Sequence, residues 1–349
     1  MVESDDYELN PEFQRRHRWT PERQSRLIES FIMNVPIPPV FLYEDDYSHY
    51  QVMDGLQRLT AISEFYSNQL ELVGLQEWPE LNGRTYKTLP EQVRRGVDRR
   101  YLSSIILLQE TAKNDAEAER LKQLVFERIN SGGVRLEHQE SRNAIYDGPL
   151  NRLCIKLSRN ESLCRTWGIP EPTKEEIETE GGTISQELLE NPDYRQMKDV
   201  ELVLRFFAFR QREHHNTGTL SRYLDNYLNY GNRFKQEIKD ELGDVFEKTI
   251  ALVESIFGEK AFWVTRQRGG GDWHWRQHPT TVIYDPLMFV VSQYLEQFEK
   301  LKKCSELLNR KREELFQTRN ELFGGRAVNP AKREARVEAL RAIFDSAVN

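Results

Sequence analysis

The stretch Val52-Met53-Asp54-Gly55-Leu56-Gln57-Arg58-Leu59-Thr60 constrains this chain more than any other. A short apolar strand pattern reaches a glycine turn and passes directly into a helical pattern, with Leu59, Ile62, Phe65 and Tyr66 expected on its inner face. A fold containing it needs a sheet whose strand delivers a helix N-terminus at the sheet's end. The first helical turn leaves N–H groups unpaired and carries partial positive charge, which favours anions. Gly55 lets a ligand approach the backbone, Arg58 adds a bidentate phosphate donor, and Asp54 suits either a helix cap or a magnesium ion bridging phosphates. The same spacing also describes an ordinary capped helix with an exposed arginine, and the pattern alone leaves both readings open.

The surrounding third of the chain alternates elements. Thr20-Pro21 pairs a hydroxyl cap with proline at the first helical position, and Leu27, Ile28, Phe31 and Ile32 share a face, so a helix is predicted over 21–34. Strands are predicted over 40–43 and 50–53, with another within 102–109. A helix is predicted from Asp115 to about Ile129, ended by Ser131-Gly132-Gly133, and another begins near Glu137. Beyond about residue 150 strand signals fade. Helices are predicted over 197–213, 219–230, 233–257, 284–301, 302–323 and 329–346, interrupted by a glycine- and tryptophan-rich loop over 266–279. The expected fold is therefore α+β, a small mixed sheet with helices over 1–150 followed by an all-helical domain over 151–349. An acidic loop is expected at about 170–182.

Charge and cysteine content narrow the function classes. The net charge is −7, with 49 Lys+Arg against 56 Asp+Glu, so the chain is not a polycation and any phosphate contact must come from local clusters. No apolar run approaches the ~18 residues of a membrane span. The acidic start lacks the pattern of a signal peptide, and three widely spaced cysteines (Cys154, Cys164, Cys304) argue against a disulfide framework or a Cys-rich metal site. These features predict a cytoplasmic protein with no membrane contact.

Three more clusters carry polar chemistry. Five arginines lie between residues 15 and 26, with Arg15 and Arg16 beside Trp19, a combination that contacts phosphates and stacks bases or else forms a solvated face over a core tryptophan. Asn130-Ser131-Gly132-Gly133 permits a concave run of N–H groups that holds anions, or a plain helix C-cap. Gln139, Glu140, Arg142 and Asn143 follow at high polar density. Arg266, Arg268, Trp273, Trp275 and Arg276 combine arginine and aromatic faces suited to nucleic acid, or tryptophans that pin a long loop. Leu301, Leu308, Leu315 and Leu322 recur every seven residues, as in core packing or a coiled-coil seam with a second copy.

Four segments in one order, PEFQRRHRWT, VPIPPVFLYE, DGLQRLTAI and FERINSGGVRLEHQESRNAIY, together with the helical stretches KDVELVLRFFAF and LSRYLDNYLN, resemble the GmrS-type subunit. That subunit is the N-terminal half of GmrSD-type modification-dependent restriction systems, and the resemblance covers nearly the full chain. It implies a ParB/sulfiredoxin-like fold in the first domain and a nucleotide-dependent, antiphage DNA-restriction role. By that resemblance Asp54, Gln57 and Arg58 are the catalytic set, while Gly55, Arg15, Arg16, Asn130, Ser131, Gly132, Gly133, Arg142 and Asn143 bind nucleotide. The implied cofactor is a nucleoside triphosphate (GTP, CTP, UTP or ATP) with Mg2+, and the implied partners are DNA, including modified phage DNA, and a separate nuclease subunit. The family signature is usually written Asp-Gly-Gln-Gln-Arg, and here its third position is Leu56. An NTP-hydrolysing sensor is therefore set against a non-hydrolysing, ParB-like DNA-binding or adaptor protein.

An internal His-Asn-His nuclease is not expected. His214-His215-Asn216 has no strand context, and His274 and His278, four apart as in a helical metal pair, sit between glycines and Pro279.

Overall fold

The computed structural model describes residues 7–8, 19–47, 49–108, 121, 124–125, 138–174, 176, 184–211, 219–267, 272–324 and 330–348. The chain divides into two compact units, Met1–Ile145 and Tyr146–Asn349. The architecture is α+β. No helix among the described residues is long and apolar enough to cross a membrane.

The first unit is built on strands β1 (Tyr7–Glu8), β2 (Val40–Asp46), β3 (His49–Asp54) and β4 (Ser104–Leu108), in the order β1-β3-β2-β4. β2 and β3 are antiparallel, while β1–β3 and β2–β4 are parallel, so the sheet is mixed. Helix α1 (Pro21–Met33) starts where Thr20 accepts a hydrogen bond from the Arg23 N–H, and ends at Asn34 in the left-handed region (φ 61°). Helix α2 (Leu56–Tyr66) follows Gly55, two 3-10 turns (Pro79–Leu81 and Tyr86–Thr88) come next, and α3 (Glu91–Val97) and α4 (His138–Ile145) lie further along this unit. Ile28 and Ile32 of α1, Phe65 of α2 and Val97 of α3 close over Leu70, Leu72, Leu75, Leu81 and Leu89. Phe65 is fully buried and Ile62 packs partly against this core, but Tyr66, expected inward, is exposed, because the core ends at Phe65 and the helix at Tyr66 itself. Of the helix expected over 115–129 only residues 121, 124 and 125 are described, and all three are helical.

A buried carboxylate fixes the loop crossing α1. Glu29, itself buried, accepts the N–H groups of Glu77 (2.8 Å), Trp78 (3.0 Å) and Gln76 (3.4 Å), and so satisfies three successive backbone donors of this loop.

The second unit contains helices α5 (Pro149–Leu157), α6 (Glu161–Trp167), α7 (Gln186–Glu190), α8 (Pro192–Arg195), α9 (Lys198–Arg210), α10 (Leu220–Gly231) and α11 (Gln236–Phe257). Strands β5 (Thr265–Gln267) and β6 (Trp273–Trp275) follow, then α12 (Thr281–Val291), α13 (Phe298–Lys303), α14 (Ser305–Thr318), α15 (Asn320–Phe323) and α16 (Pro330–Val348). The unit is thus not all-helical. The segment expected to be a loop holds an antiparallel pair, because Thr-Arg-Gln and Trp-His-Trp alternate inward and outward on either side of three glycines. The two long helices expected over 284–301 and 302–323 are each broken, at 292–297 and at Cys304 and Arg319, where one helix ends and a new axis starts. Leu301, Leu308 and Leu322 are buried in this unit's core, so the seven-residue leucine spacing reflects packing within the chain. The acidic stretch 171–180 is only partly described, and within it Glu176 pairs with Arg159 at 2.6 Å.

The centre of the second unit is α9, with Val200, Leu202, Val203, Leu204, Phe206, Phe207 and Ala208 buried against neighbouring helices. Arg205 on the same helix is buried too. Its Nε donates to Asp285 Oδ1 of α12 at 2.9 Å, its Nη2 donates to Oδ2, and its Nη1 reaches Glu201 at 3.3 Å. Burial works against its charge, but the facing Asp285 and Glu201 more than reverse that and raise its pKa.

Candidate functional site

The β3–α2 turn is shaped by its neighbours. Between Phe41↔Asp54 and Leu42↔Val52 the ladder slips, leaving Met53 as an extra residue on β3. Such a bulge re-aims the strand end just before the turn. Gly55 then takes φ +98°, and a Cβ there would stand 2.5 Å from Val40 Cγ1 and 2.9 Å from Arg58 Nη2. Both backbone conformation and space exclude any other residue. Gly55 caps α2 without a side chain, so the first-turn N–H groups receive no side-chain acceptor from the cap.

Asp54 does not cap the helix. Its Oδ2 accepts from Arg58 Nη2 at 2.6 Å, one helical turn on, and the same nitrogen donates to the Pro39 carbonyl at 3.2 Å. The expected cap fails because the glycine turn makes Gly55 the capping residue and leaves Asp54 facing Arg58. The arginine is largely buried (14% exposed), against 36% for Asp54. Its Nε is buried with no partner among the described residues. A buried, unpaired guanidinium N–H is costly, so an acceptor brought to this atom is favoured.

Two of the motifs meet here. The Trp19 N–H donates to Gln57 Oε1 at 3.0 Å, and the Arg23 guanidinium lies 4.6 Å from the centre of the Trp19 ring. The tail of the first arginine cluster is thus anchored on the second residue of α2. Arg15 and Arg16, and Asn130, Ser131, Gly132 and Gly133, lie outside the described residues. Among the described residues no group of three or more His, Cys, Asp or Glu is placed to hold a metal.

Helix α4 carries the dense polar run inward. Gln139, Glu140, Arg142 and Asn143 are all nearly inaccessible; Gln139 donates to Asn143 Oδ1 at 2.9 Å and accepts from Arg142 Nη1 at 3.0 Å. Arg142 is therefore held by Gln139 of its own helix. A connected polar cluster like this fixes side chains rigidly and is not a solvated helix face.

The arginine–tryptophan cluster of the second unit divides by strand face. Thr265 faces Trp275, Arg266 faces His274, and Gln267 faces Trp273. Trp275 turns inward, with its ring 6.1 Å from Phe316 and the Arg312 guanidinium 5.2 Å from its centre, so it anchors the hairpin. Arg266, His274 and Arg276 are exposed, and Trp273 is half-buried. Arg268 lies outside the described residues, as do His214, His215 and Asn216. His274 is on a strand and His278 in the turn after it, so the helical four-residue spacing required for a metal pair is not realised.

Sequence reading missed the Pro39 carbonyl and Val40 as walls of the turn, because backbone oxygens and close approaches leave no residue signature. It also missed Arg312, whose burial among Phe257, Trp275 and Phe316 pushes its pKa down to about 9. Its one strong bond, to the Ala261 carbonyl at 2.8 Å, was equally invisible.

Residues 1–146 match the family model described as the GmrSD restriction endonuclease, N-terminal domain. No curated protein and no solved structure matches the chain.

Proposed function

We propose, from the premise that residues 1–146 belong to the GmrSD N-terminal domain family and so tie the chain to a DNA-restriction system, that the β3–α2 turn binds a nucleoside triphosphate. The chain then acts as a nucleotide-gated sensor, with cleavage left to a separate nuclease subunit. The observation that carries this reading is the buried Nε of Arg58, without a partner among the described residues, beside an N-terminal helical turn whose glycine cap offers no side-chain acceptor. A phosphate oxygen satisfies both, and its charge is favoured by the helix dipole.

Within the reading, the first-turn N–H groups and Arg58 hold phosphate, and Gln57, steadied by Trp19, orients the group above it. Asp54 holds Arg58 in place and is the carboxylate at hand for a magnesium ion that also binds phosphates, a role that one or two carboxylates can fill. The ion would neutralise charge on the phosphates. In the second unit, exposed Arg266 and Arg276 make the hairpin a DNA contact.

A titration of the full chain with each of the four triphosphates and Mg2+ tests the site. Arg58→Ala is expected to abolish binding with the fold retained by circular dichroism. Binding unchanged in that variant refutes the assignment. Leu56, in place of a glutamine, favours a second reading in which the nucleotide is bound but not hydrolysed and the chain is an adaptor. Phosphate release measured with and without DNA separates the two.

A further inference from the structure

A second basic surface lies on the first unit, away from the glycine turn. Over residues 84–100 the chain carries Arg84, Lys87, Arg94, Arg95, Arg99 and Arg100 against only Glu91 and Asp98, in a protein whose net charge is −7. The tertiary structure draws the two ends of this run together. The Tyr86 hydroxyl donates to Asp98 Oδ1 at 2.9 Å, the Tyr86 ring lies 4.8 Å from that of Tyr66, and the Tyr66 hydroxyl donates to the Val97 carbonyl at 3.4 Å. Leu81, Leu89 and Val97 lie in the core beneath, with Tyr86 and Val93 packed against it, so the surface stands on a rigid base.

The bland explanations account for part of it. Arg100 turns inward, its Nε donating to the Phe31 carbonyl (3.0 Å) and its Nη2 to the Ile32 carbonyl (3.4 Å), and so caps the end of α1. Arg94 and Arg95 sit in the last turn of α3, where positive charge suits the dipole. For the exposed Arg84, Lys87 and Arg99 these reasons are weak: Arg84 reaches the Thr88 carbonyl only at 3.5 Å, Lys87 sits in a single 3-10 turn (Tyr86–Thr88), and Arg99 follows α3. Among the described residues the only ion pair formed by this group is Arg95 with Glu91, at 2.6 Å, and both of those side chains are mostly in solvent. Asp98 is taken up by Tyr86.

We propose that Arg84, Lys87, Arg94, Arg95 and Arg99 form a docking surface for the phosphate backbone of duplex DNA, read without base contacts. The proposal rests on the reading of this chain as part of a system that acts on DNA. Charge complementarity favours this occupant: several cations with no ion-pair partner among the described residues, on one short core-backed segment whose ends are drawn together, match a ladder of phosphates, whereas a nucleotide needs an enclosed turn such as that at Gly55. The surface meets the C-terminal end of α2 at Tyr66, while Gly55 caps the other end, about 16 Å away for eleven residues at ~1.5 Å each. Nucleotide and DNA can therefore be tested separately.

The test is the salt dependence of duplex binding by the full chain, read by fluorescence anisotropy. Lys87→Glu/Arg94→Glu/Arg99→Glu is expected to weaken binding at least about tenfold and flatten the log–log salt slope by roughly 2.7, about 0.9 for each phosphate that is no longer neutralised. Lys87→Gln/Arg94→Gln/Arg99→Gln, gentler on the fold, is expected to move the same way. Nucleotide binding is expected to stay intact in both, and Arg58→Ala is expected to keep the DNA slope, so loss of the nucleotide reading leaves this one standing. An Arg266→Ala/Arg276→Ala variant reports the hairpin independently. A wild-type slope in both triple variants overturns the proposal, as does a wild-type chain that does not bind duplex at low salt. Competition by poly-glutamate as strong as that by unlabelled duplex overturns it too, assigning the surface to an acidic protein.

Discussion

At the scale of single residues, the turn leaves almost no freedom. Gly55 is fixed by a φ of +98° and by Val40 Cγ1 2.5 Å from where a Cβ would stand. Gly55→Ala is expected to cost about 2–4 kcal/mol, combining left-handed strain with overpacking. A thermal melt within about a degree of wild type would contradict that. Glu29 is a second such residue, since three N–H groups depend on it. Glu29→Ala is expected to destabilise the first unit by about 1–3 kcal/mol in a urea titration, because three backbone donors lose a charged acceptor at once. Leu56 is half-buried, so its replacement costs little core, and under the proposed nucleotide reading its weight falls on chemistry. If a glutamine there orients the attacking water, Leu56→Gln is expected to raise phosphate release without changing nucleotide affinity. A variant that releases no more phosphate than wild type assigns that position another role.

At the scale of elements, the joints between helices and strands matter more than the elements themselves. Helix α9 meets α12 through Arg205 and Asp285, both nearly inaccessible, inside an otherwise apolar contact. Removing Asp285 leaves buried Arg205 only Glu201, at 3.3 Å, so Asp285→Ala is expected to cost about 2–4 kcal/mol, whereas Arg205→Met/Asp285→Leu together recovers most of that loss. Urea titrations of the two variants check this, and equal losses would show that the pair itself contributes net stability. The hairpin β5–β6 depends on Trp275, which reaches Phe316 and Arg312 of α14. The same arginine–tryptophan segment thus divides its labour: one face holds the strands to the helices, and the other presents Arg266 and Arg276 to solvent.

At the scale of the whole molecule, buried acids set the response to alkali. Burial raises the thiol of Cys154, and it raises that of Cys164 to about 12, while Asp199 and Glu176 add to that shift and Arg159 opposes it. Burial and then Asp98 raise Tyr66 to about 12, and burial and Asp345 do the same for Tyr294. These groups keep their protons in the folded state at pH values where the unfolded chain has lost them. The unfolded state then binds fewer protons, so stability falls as pH rises above the unfolded thiol value near 9. Melting temperatures are expected to fall steadily from pH 8.5 upward, each of the two buried thiols contributing up to about 1.4 kcal/mol per pH unit and the more exposed tyrosines less. A flat profile to pH 10.5 would show the thiols to be accessible.

Features that local backbone chemistry dictates were legible in the residues alone. The Thr20-Pro21 start of α1, the strand–Gly55–helix junction and the helical periods of α9, α10 and α11 each depend on residues within a turn or two of one another. So does the break at the three glycines, though the strands flanking them were too short for periodicity to detect. What those elements face was settled by packing between distant segments. Arg58 finds the carbonyl of Pro39, 19 residues earlier, and Gln57 finds the backbone of Trp19. Arg142 turns into a buried polar cluster, Leu301, Leu308 and Leu322 become core, and the Tyr86–Asp98 bond draws the ends of the basic run at 84–100 together. Local conformation is governed by sterics and hydrogen bonds along the chain. Whether a polar side chain binds a ligand, caps a helix or fills a core depends on which distant groups exclude water around it, and that is set only when the packing is complete.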